Sequence, residues 1–394
     1  MPNIKKLVVL GTTLTGLAVV RSAHAAGVVC SLVDIRLGIA SRSRLARTHF
    51  VDRADHSATL ATLRQLAGDA PCALIADSDS WLRFILAHRE TLESIFSVVL
   101  HPDQRALQIC LDKNTFLDWC AEAGFSAPRR YSIQADGSLT PAAEFPLLIR
   151  PQTTRHESGI DVPKAVEARD QAALEYWLER FASVGVEPAV GQSLLRPGIR
   201  QYSIGVARNR EGVVRTIVLE KLRSYPEQCA GGTFVVSSEQ PAVEAWVRRV
   251  VATLGYFGIA EVEVMYDGAS GESFLIEINA RPWTQFALAE RAGCNFLGFL
   301  LWGQEKRTAS SVLRWLNFEA DAYGCLSRST GVVRQGRLGM REYLASVLSA
   351  NVFAVWDRSD PGPFLHALAR LAGQQFRRLV GSRSRPSGDT ARAA

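Results

Sequence analysis

Two runs in the second half of the chain decide its reading: Ile259-Ala260-Glu261-Val262-Glu263-Val264-Met265 and Phe274-Leu275-Ile276-Glu277-Ile278-Asn279-Ala280-Arg281. Between them lies Asp267-Gly268-Ala269-Ser270-Gly271, a loop of turn formers, so the pattern predicts a β-hairpin. Alternation puts Glu261 and Glu263 on one face of the first strand, with Ala260, Val262 and Val264 on the other. In the second strand Glu277, Asn279 and Arg281 share a face, and Phe274, Ile276 and Ile278 lie opposite. Pairing that sets Glu263 across from Glu277 gathers two carboxylates and an amide oxygen; a slip of one residue turns them to opposite faces. Like charges directly opposed destabilise a hairpin unless something compensates, and a hard cation such as Mg²⁺ does so with oxygen ligands. The plain alternative is a solvated sheet face carrying surface acids. Arg281-Pro282-Trp283, with the proline ending the strand at the sheet rim, favours a site.

Around this hairpin the chain has 394 residues, enough for two or three domains. Apolar residues make up 47% and charged residues 21%, which excludes disorder as the main state. No apolar run reaches the ~18 residues of a membrane span. The net charge of +6 is spread along the chain, apart from a basic stretch from Arg377 to Arg392, so nucleic acid is not expected as a partner. Seven scattered cysteines without a C-x-x-C pair suit reduced thiols and a cytoplasmic setting. Only six of the 45 basic residues are lysines: Lys5, Lys6, Lys113, Lys164, Lys221 and Lys306. Where arginine is the default cation, a retained lysine can mark a need for a compact ammonium, although codon bias explains the same count.

The N-terminus admits two readings. Lys5-Lys6, the apolar Leu7 to Val20 and Ala23-His24-Ala25 resemble a secretory signal. Against this, Leu7 to Leu10 is a short β-branched run ending at Gly11, followed by Leu14, Leu17, Ala18 and Arg21 at helical spacing and by a second run, Val28 to Val33. That is strand, helix, strand, the opening of a parallel α/β unit. Asp34 ends the second strand as in dinucleotide folds, but Gly11 and Gly16 do not make the G-x-G-x-x-G fingerprint, so a nicotinamide enzyme is a distant alternative.

Strands are expected at 72–76 and 95–100, with a helix over 81–88 between them. A helix opens at Leu111-Asp112-Lys113 and closes at Gly124. Further on come a strand at 145–150, a helix over 170–181, and what reads as a meander at 190–195, 202–207 and 213–222. A helix over 241–254 precedes the hairpin, helices are expected at 340–350 and 362–380, and Ser382 to Ala394 is polar.

With these residues in place the chain resembles the ATP-grasp superfamily, whose Glu-x-Asn-x-Arg hallmark stands here as Glu277-Ile278-Asn279-Ala280-Arg281. It looks closest to predicted carboxylate–amine ligases of the form E-I-N-x-R-x-W, which also carry an A-G-x-N element, here Ala292-Gly293-Cys294-Asn295. The resemblance runs through Leu111-Asp112-Lys113, Phe145 to Pro151, Gln192 to Gly198, Lys221-Leu222-Arg223, Gly231-Gly232 and Asp360 to Phe364.

The resemblance implies roles. Glu263, Glu277 and Asn279 would hold Mg²⁺ or Mn²⁺ on the phosphates of ATP. Lys113, Arg150 (where the family usually has lysine) and Lys164 would meet the phosphates, beneath a flap at 152–161 that is poor in glycine. Gln192 and Leu195 would border adenine. Lys221 and Arg223, two apart and so expected to face the same way, would point at an acyl-phosphate, with Arg281 stabilising its charge.

The implied architecture is an N-terminal parallel α/β (pre-ATP-grasp) domain at 1–105, a two-subdomain ATP-grasp fold with its small part at 106–186 and its large part at 187–305, a helical C-terminal region at 306–381, and a disordered tail at 382–394. The implied activity is ATP-dependent joining of a small-molecule carboxylate to an amine, releasing ADP and phosphate. A catalytically silent ATP-binding protein of the same fold is the alternative. No membrane partner is expected, and the oligomeric state is open, a homodimer being allowed.

Overall fold

The computed structural model describes residues 4–383 except 53, 135–136, 153–162, 164, 196, 226–230, 306–311 and 328–330; from 374 to 383 it describes the backbone alone. No helix among the described residues is long and apolar enough to cross a membrane.

The first sheet is parallel and comprises β1 (Lys6–Leu10), β2 (Val29–Asp34), β3 (Ala46–Phe50), β4 (Cys72–Ala76) and β5 (Val98–Val99), in the order β3-β2-β1-β4-β5. Leu7 to Leu10 thus form the middle of this sheet, 0–2% exposed. A strand covered on both faces needs such an unbroken apolar run. Helices Leu14–Ala25 and His56–Ala67 are capped at their N-termini by Thr13 and Asp55. The crevice where dinucleotide folds receive a pyrophosphate is filled from within the chain. The Thr12 N–H donates to Asp34 Oδ2 (2.8 Å) and the Thr13 N–H to Asp77 Oδ2 (2.9 Å). A Cβ on Gly11 would stand 1.8 Å from Asp77 Oδ1. With its anion-binding amides occupied, the crevice gives the nicotinamide alternative no support.

The second sheet comprises β6 (Arg130–Ile133), β7 (Leu139–Thr140), β8 (Leu147–Pro151), β9 (Val166–Ala168) and β10 (Pro188–Gln192), in the order β7-β6-β10-β8-β9. It has a small core of its own, where Leu174 and Phe181 of helix Gln171–Ser183 meet Tyr131, Leu147, Ile149 and Val190. The run around Val190 was expected to open a meander with the next two strands. Instead it pairs antiparallel with β8 and β6, so the small sheet extends past residue 186.

The third sheet comprises β11 (Ile199–Arg208), β12 (Val214–Ser224), β13 (Gly232–Ser238), β14 (Gly258–Asp267), β15 (Ser273–Asn279), β16 (Arg314–Leu316) and β17 (Val352–Phe353), in the order β15-β14-β11-β12-β13-β16-β17. Strands β16 and β17 come from the region expected to be helical; Trp315, fully buried, anchors the first of them. Helix Pro241–Thr253 covers one face with Val243, Val247, Val250 and Val251, an i, i+4, i+7, i+8 stripe. On the other face Trp283 and Phe286 pack in one continuous core with Leu17 and Val20 of the first domain's helix. That shared core fixes the N-terminal domain against the hairpin.

Candidate functional site

Strands β14 and β15 form the expected antiparallel hairpin, with Glu263 opposite Glu277 and Glu261 opposite Asn279. The register shifts immediately beyond, where Val264 faces Leu275 and Ile276 is the extra residue. This β-bulge sends Leu275 into the core, fully buried, where alternation had assigned Phe274 and Ile276. Glu277 and Asn279 keep their face because the bulge lies before them.

The polar side chains on that face bond to one another. Asn279 Nδ2 donates to Glu277 Oε1 (3.0 Å) and Glu261 Oε2 (3.1 Å), and its Oδ1 accepts from Arg281 Nη2 (3.3 Å). Gln201 Nε2 donates to Glu263 Oε2 (3.0 Å), and the Ser203 hydroxyl donates to Glu261. Burial, and then the charge of Glu263, raise the pKa of Glu277 above the ordinary carboxylate value. Alternation shows Glu261 on this face; Gln201 and Ser203 join it through β11, a pairing that spans sixty residues and carries no local signal.

Lys221 and Arg223 part company. The pairing of β12 with β13 shifts, so that Lys221 stands opposite Val235 but Arg223 opposite Phe234. Neighbours on a strand face opposite ways, so the expectation of a shared face fails. Lys221 Nζ, 3% exposed, lies 2.5 Å from Glu263 Oε1. Burial opposes its charge, but Glu263 and Glu261 outweigh burial and lift its pKa above the ordinary lysine value. Arg223 instead makes a two-pronged pair with the fully buried Asp321, both contacts at 2.8 Å, and stacks over Phe234 at 4.3 Å. It is committed to the C-terminal helices Phe318–Leu326 and Met340–Ser349, where Ser346 also accepts from it.

A cleft lined by Asp79, Lys113, Phe116, Arg150, Ile276 and Glu277 opens beside the hairpin. Asp112 caps helix Lys113–Ala123 by accepting from the Thr115 N–H (2.8 Å), which sets Lys113 at the first turn. Lys113 Nζ donates to the Pro151 carbonyl (2.8 Å). Burial first, then the neighbouring charge of Arg150, bring its pKa down to about 8. Arg150 lies on β8 opposite Ala189. Arg281 meets the first domain: its Nε donates to Asp79 Oδ1 (2.7 Å) at the start of helix Asp79–Ala87. Sequence reading missed Asp79, whose only mark is its place just after an apolar strand.

Gln192 ends β10, its N–H donating to the Arg129 carbonyl (2.7 Å), and the Leu195 N–H donates to the Ser193 hydroxyl (3.3 Å). Lys164, most of the flap at 153–161, and Arg196 lie outside the described residues, as does the tail beyond 383.

Among the described residues no group of three or more His, Cys, Asp or Glu side chains has the arrangement of a metal cage. The donors on the hairpin are nonetheless all hard: the opposed carboxylates of Glu263 and Glu277 and the amide of Asn279 beside them. That set suits an oxygen-ligated divalent cation, whose charge would offset the burial and the neighbouring Glu263 that together disfavour an ionised Glu277.

No protein-family model matches the chain, and no curated protein matches it in sequence. Solved structures do. N5-carboxyaminoimidazole synthetase from Staphylococcus aureus, complexed with ADP, superposes at a TM-score of 0.63 with 13% identity, covering 83% of this chain and 87% of that one. An L-amino acid ligase from Bacillus licheniformis gives 0.56 at 16% identity, covering 76% and 74%. The biotin carboxylase domain of a 2-oxoglutarate carboxylase from Hydrogenobacter thermophilus, a dimer holding MgADP and bicarbonate, gives 0.58 at 15%, covering 79% and 72%. Identities this low speak to architecture alone. The chain has the fold of the ATP-grasp superfamily, the one its Glu277-x-Asn279-x-Arg281 motif resembles.

Proposed function

We propose that the protein is an ATP-dependent ligase that joins a carboxylate to an amine through an acyl-phosphate, releasing ADP and phosphate. The observation that carries this is Glu263 facing Glu277, with Asn279 beside them, over a cleft whose other wall holds Lys113 and Arg150. Neighbours of this fold that hold ADP or MgADP support nucleotide and Mg²⁺ as its cofactors.

In this reading Glu263, Glu277 and Asn279 hold the metal, with Asn279 turning its oxygen inward. A bound Mg²⁺ would neutralise phosphate charge during phosphoryl transfer. Lys113 and Arg150 bind the phosphates, Lys164 adds a third cation, and Gln192 and Leu195 border the adenine. Lys221 limits the negative charge of the pair by neutralising Glu263. Arg281, held by Asp79, faces the charge that grows on the transferred group. Arg223 is removed from the reacting centre by its pairing with Asp321 and serves as a clasp.

The test is ADP release with Mg²⁺ and ATP against pooled amino acids and small carboxylic acids, with Glu277→Gln beside the wild type. Acid-dependent ADP that falls on the order of 10²–10³-fold in the variant supports the ligase. ATP protection against heat without ADP in any pool supports the silent nucleotide-binding alternative, which Arg150 in place of the usual lysine motivates.

A further inference from the structure

His101 is fully buried where the N-terminal domain touches the end of the hairpin, and nothing in the proposed chemistry uses it. Its ring spans two backbones. Nε2 lies 2.7 Å from the N–H of Ala76, the last residue of β4, and Nδ1 lies 2.9 Å from the carbonyl of Ala280, 179 positions along the chain. These partners settle the tautomer by chemistry alone. A backbone N–H can only donate, so Nε2 carries the lone pair; a carbonyl can only accept, so Nδ1 carries the hydrogen. A protonated ring would oppose two N–H groups at Nε2. Burial, opposed by the Ala280 bond, together with the charges of Arg89 and Arg281, brings the pKa down to about 3, consistent with a permanently neutral ring.

Ala280 is the residue between Asn279 and Arg281, and its carbonyl sits where the chain turns tightly, the Arg281 N–H donating to the Asn279 carbonyl (2.7 Å). The contact leaves no slack on the other side. A Cβ on Gly258 would lie 2.5 Å from the Leu100 carbonyl oxygen and 3.3 Å from His101 Cα. The same domain grips the Arg281 guanidinium through Asp79. The N-terminal domain thus holds the motif at its backbone and at its side chain.

We propose that His101 is a positioning residue: a neutral, Nδ1-protonated imidazole that fixes the Ala280 peptide and thereby aims Asn279 and Arg281. The proposal rests on the ligase reading for its kinetic consequence but not for its chemistry, and the two are separable. Histidine-labelled protein, with His101→Asn to assign the ring, reports the tautomer by ¹⁵N spectroscopy. One ring is expected to stay Nδ1-protonated from pH 5 to 8. Kinetics of ADP release then compare His101→Ala with His101→Asn, whose amide retains a donor at the Nδ1 position. His101→Ala is expected to lower kcat at least 30-fold with KM for ATP within threefold, and His101→Asn to recover most of that loss.

A His101 ring that titrates near neutrality, or carries its hydrogen on Nε2, overturns the proposal. So does His101→Ala with kcat unchanged, or the two variants failing alike in thermal stability and activity, which would mark a purely structural ring. Wild-type protein that releases no ADP defeats the ligase reading, and the ring spectrum then decides whether His101 holds the Ala280 peptide.

Discussion

Lys221 and Glu263 form a buried ion pair two strands apart in the large sheet, Nζ to Oε1 at 2.5 Å, with side-chain exposures of 3% and 15%. Glu263 faces Glu277 on its other side, so one ammonium serves two carboxylates. Removing a partner from such a pair costs more than the pair contributes, because the remaining charge stays buried and unmatched. Lys221→Met is therefore expected to lose roughly 3–5 kcal/mol in urea unfolding. Adding Glu263→Gln should restore more than half of that, since the stranded charge is gone. A single variant that loses under about 1 kcal/mol would place the pair among weakly contributing surface contacts.

Glu277 gives a pH signature. Its pKa is raised above the ordinary 4.5, by burial first and then by Glu263. The folded state therefore keeps a proton that the unfolded chain releases. Stability from this source is complete below about 4.5, falls as pH rises through the raised folded value, and stays reduced above it. Glu277→Gln has no carboxylate to titrate. In EDTA its Tm should exceed that of the wild type at pH 7, and the two should converge toward pH 4. Mg²⁺ with ATP should reverse the order at pH 7, stabilising the wild type alone. Equal Tm values for the two proteins at pH 7 in EDTA would show that the opposed carboxylates carry no penalty.

The hairpin was legible because every cue to it is local: alternation of period two on both sides of a turn of Asp, Gly and Ser. The two bulges were not. One extra residue at Ile276, and a shift between Lys221 and Arg223, each reverse the parity that face assignment relies on, and neither is marked by glycine or proline. Edge strands such as β3 (Ala-Arg-Thr-His-Phe), half-buried or exposed throughout, lack the apolar signal that exposed β1 and β4 to sequence reading. The small sheet escaped because β10 finds its partners at 130–131 and 147–151 and not beside it in the chain. Asp79 and His101 reach the motif from about 200 residues away, where only the assembled core sets the distance.

The Arg223–Asp321 ion pair gives a test of whether Arg223 acts structurally or in the proposed chemistry. Asp321 is fully buried and also accepts from the Thr233 hydroxyl (2.8 Å). Asp321→Ala should cost about 3–5 kcal/mol by stranding the guanidinium. Arg223→Met combined with Asp321→Leu should recover much of that, the double-mutant cycle giving a coupling of about 1–3 kcal/mol. ADP release by the double variant, assayed well below its Tm, is expected within about tenfold of wild type, that is within about 1.4 kcal/mol of barrier. A loss of 10³-fold without a loss of stability would return Arg223 to the reacting centre.

In the proposed site, phosphate contact with Lys113 would make nucleotide binding a proton-linked event. Its pKa of about 8 reflects burial and the nearby Arg150, so at pH 8.5 about a quarter of the unliganded protein carries charge there. A phosphate against Nζ favours the ammonium and lifts the pKa back toward its ordinary range. Binding at pH 8.5 should then take up roughly 0.7 proton, falling toward zero below about pH 7, where the lysine is already charged. Calorimetry in two buffers of different ionisation enthalpy measures that number directly. Affinity should decline as pH rises above about 8, by up to tenfold per unit, because each bound nucleotide must first recruit the proton. Lys113→Met should bind more weakly at pH 7 and show neither the uptake nor the decline. Uptake that persists in the variant would move the titrating group elsewhere in the cleft and take Lys113 out of contact with the phosphates.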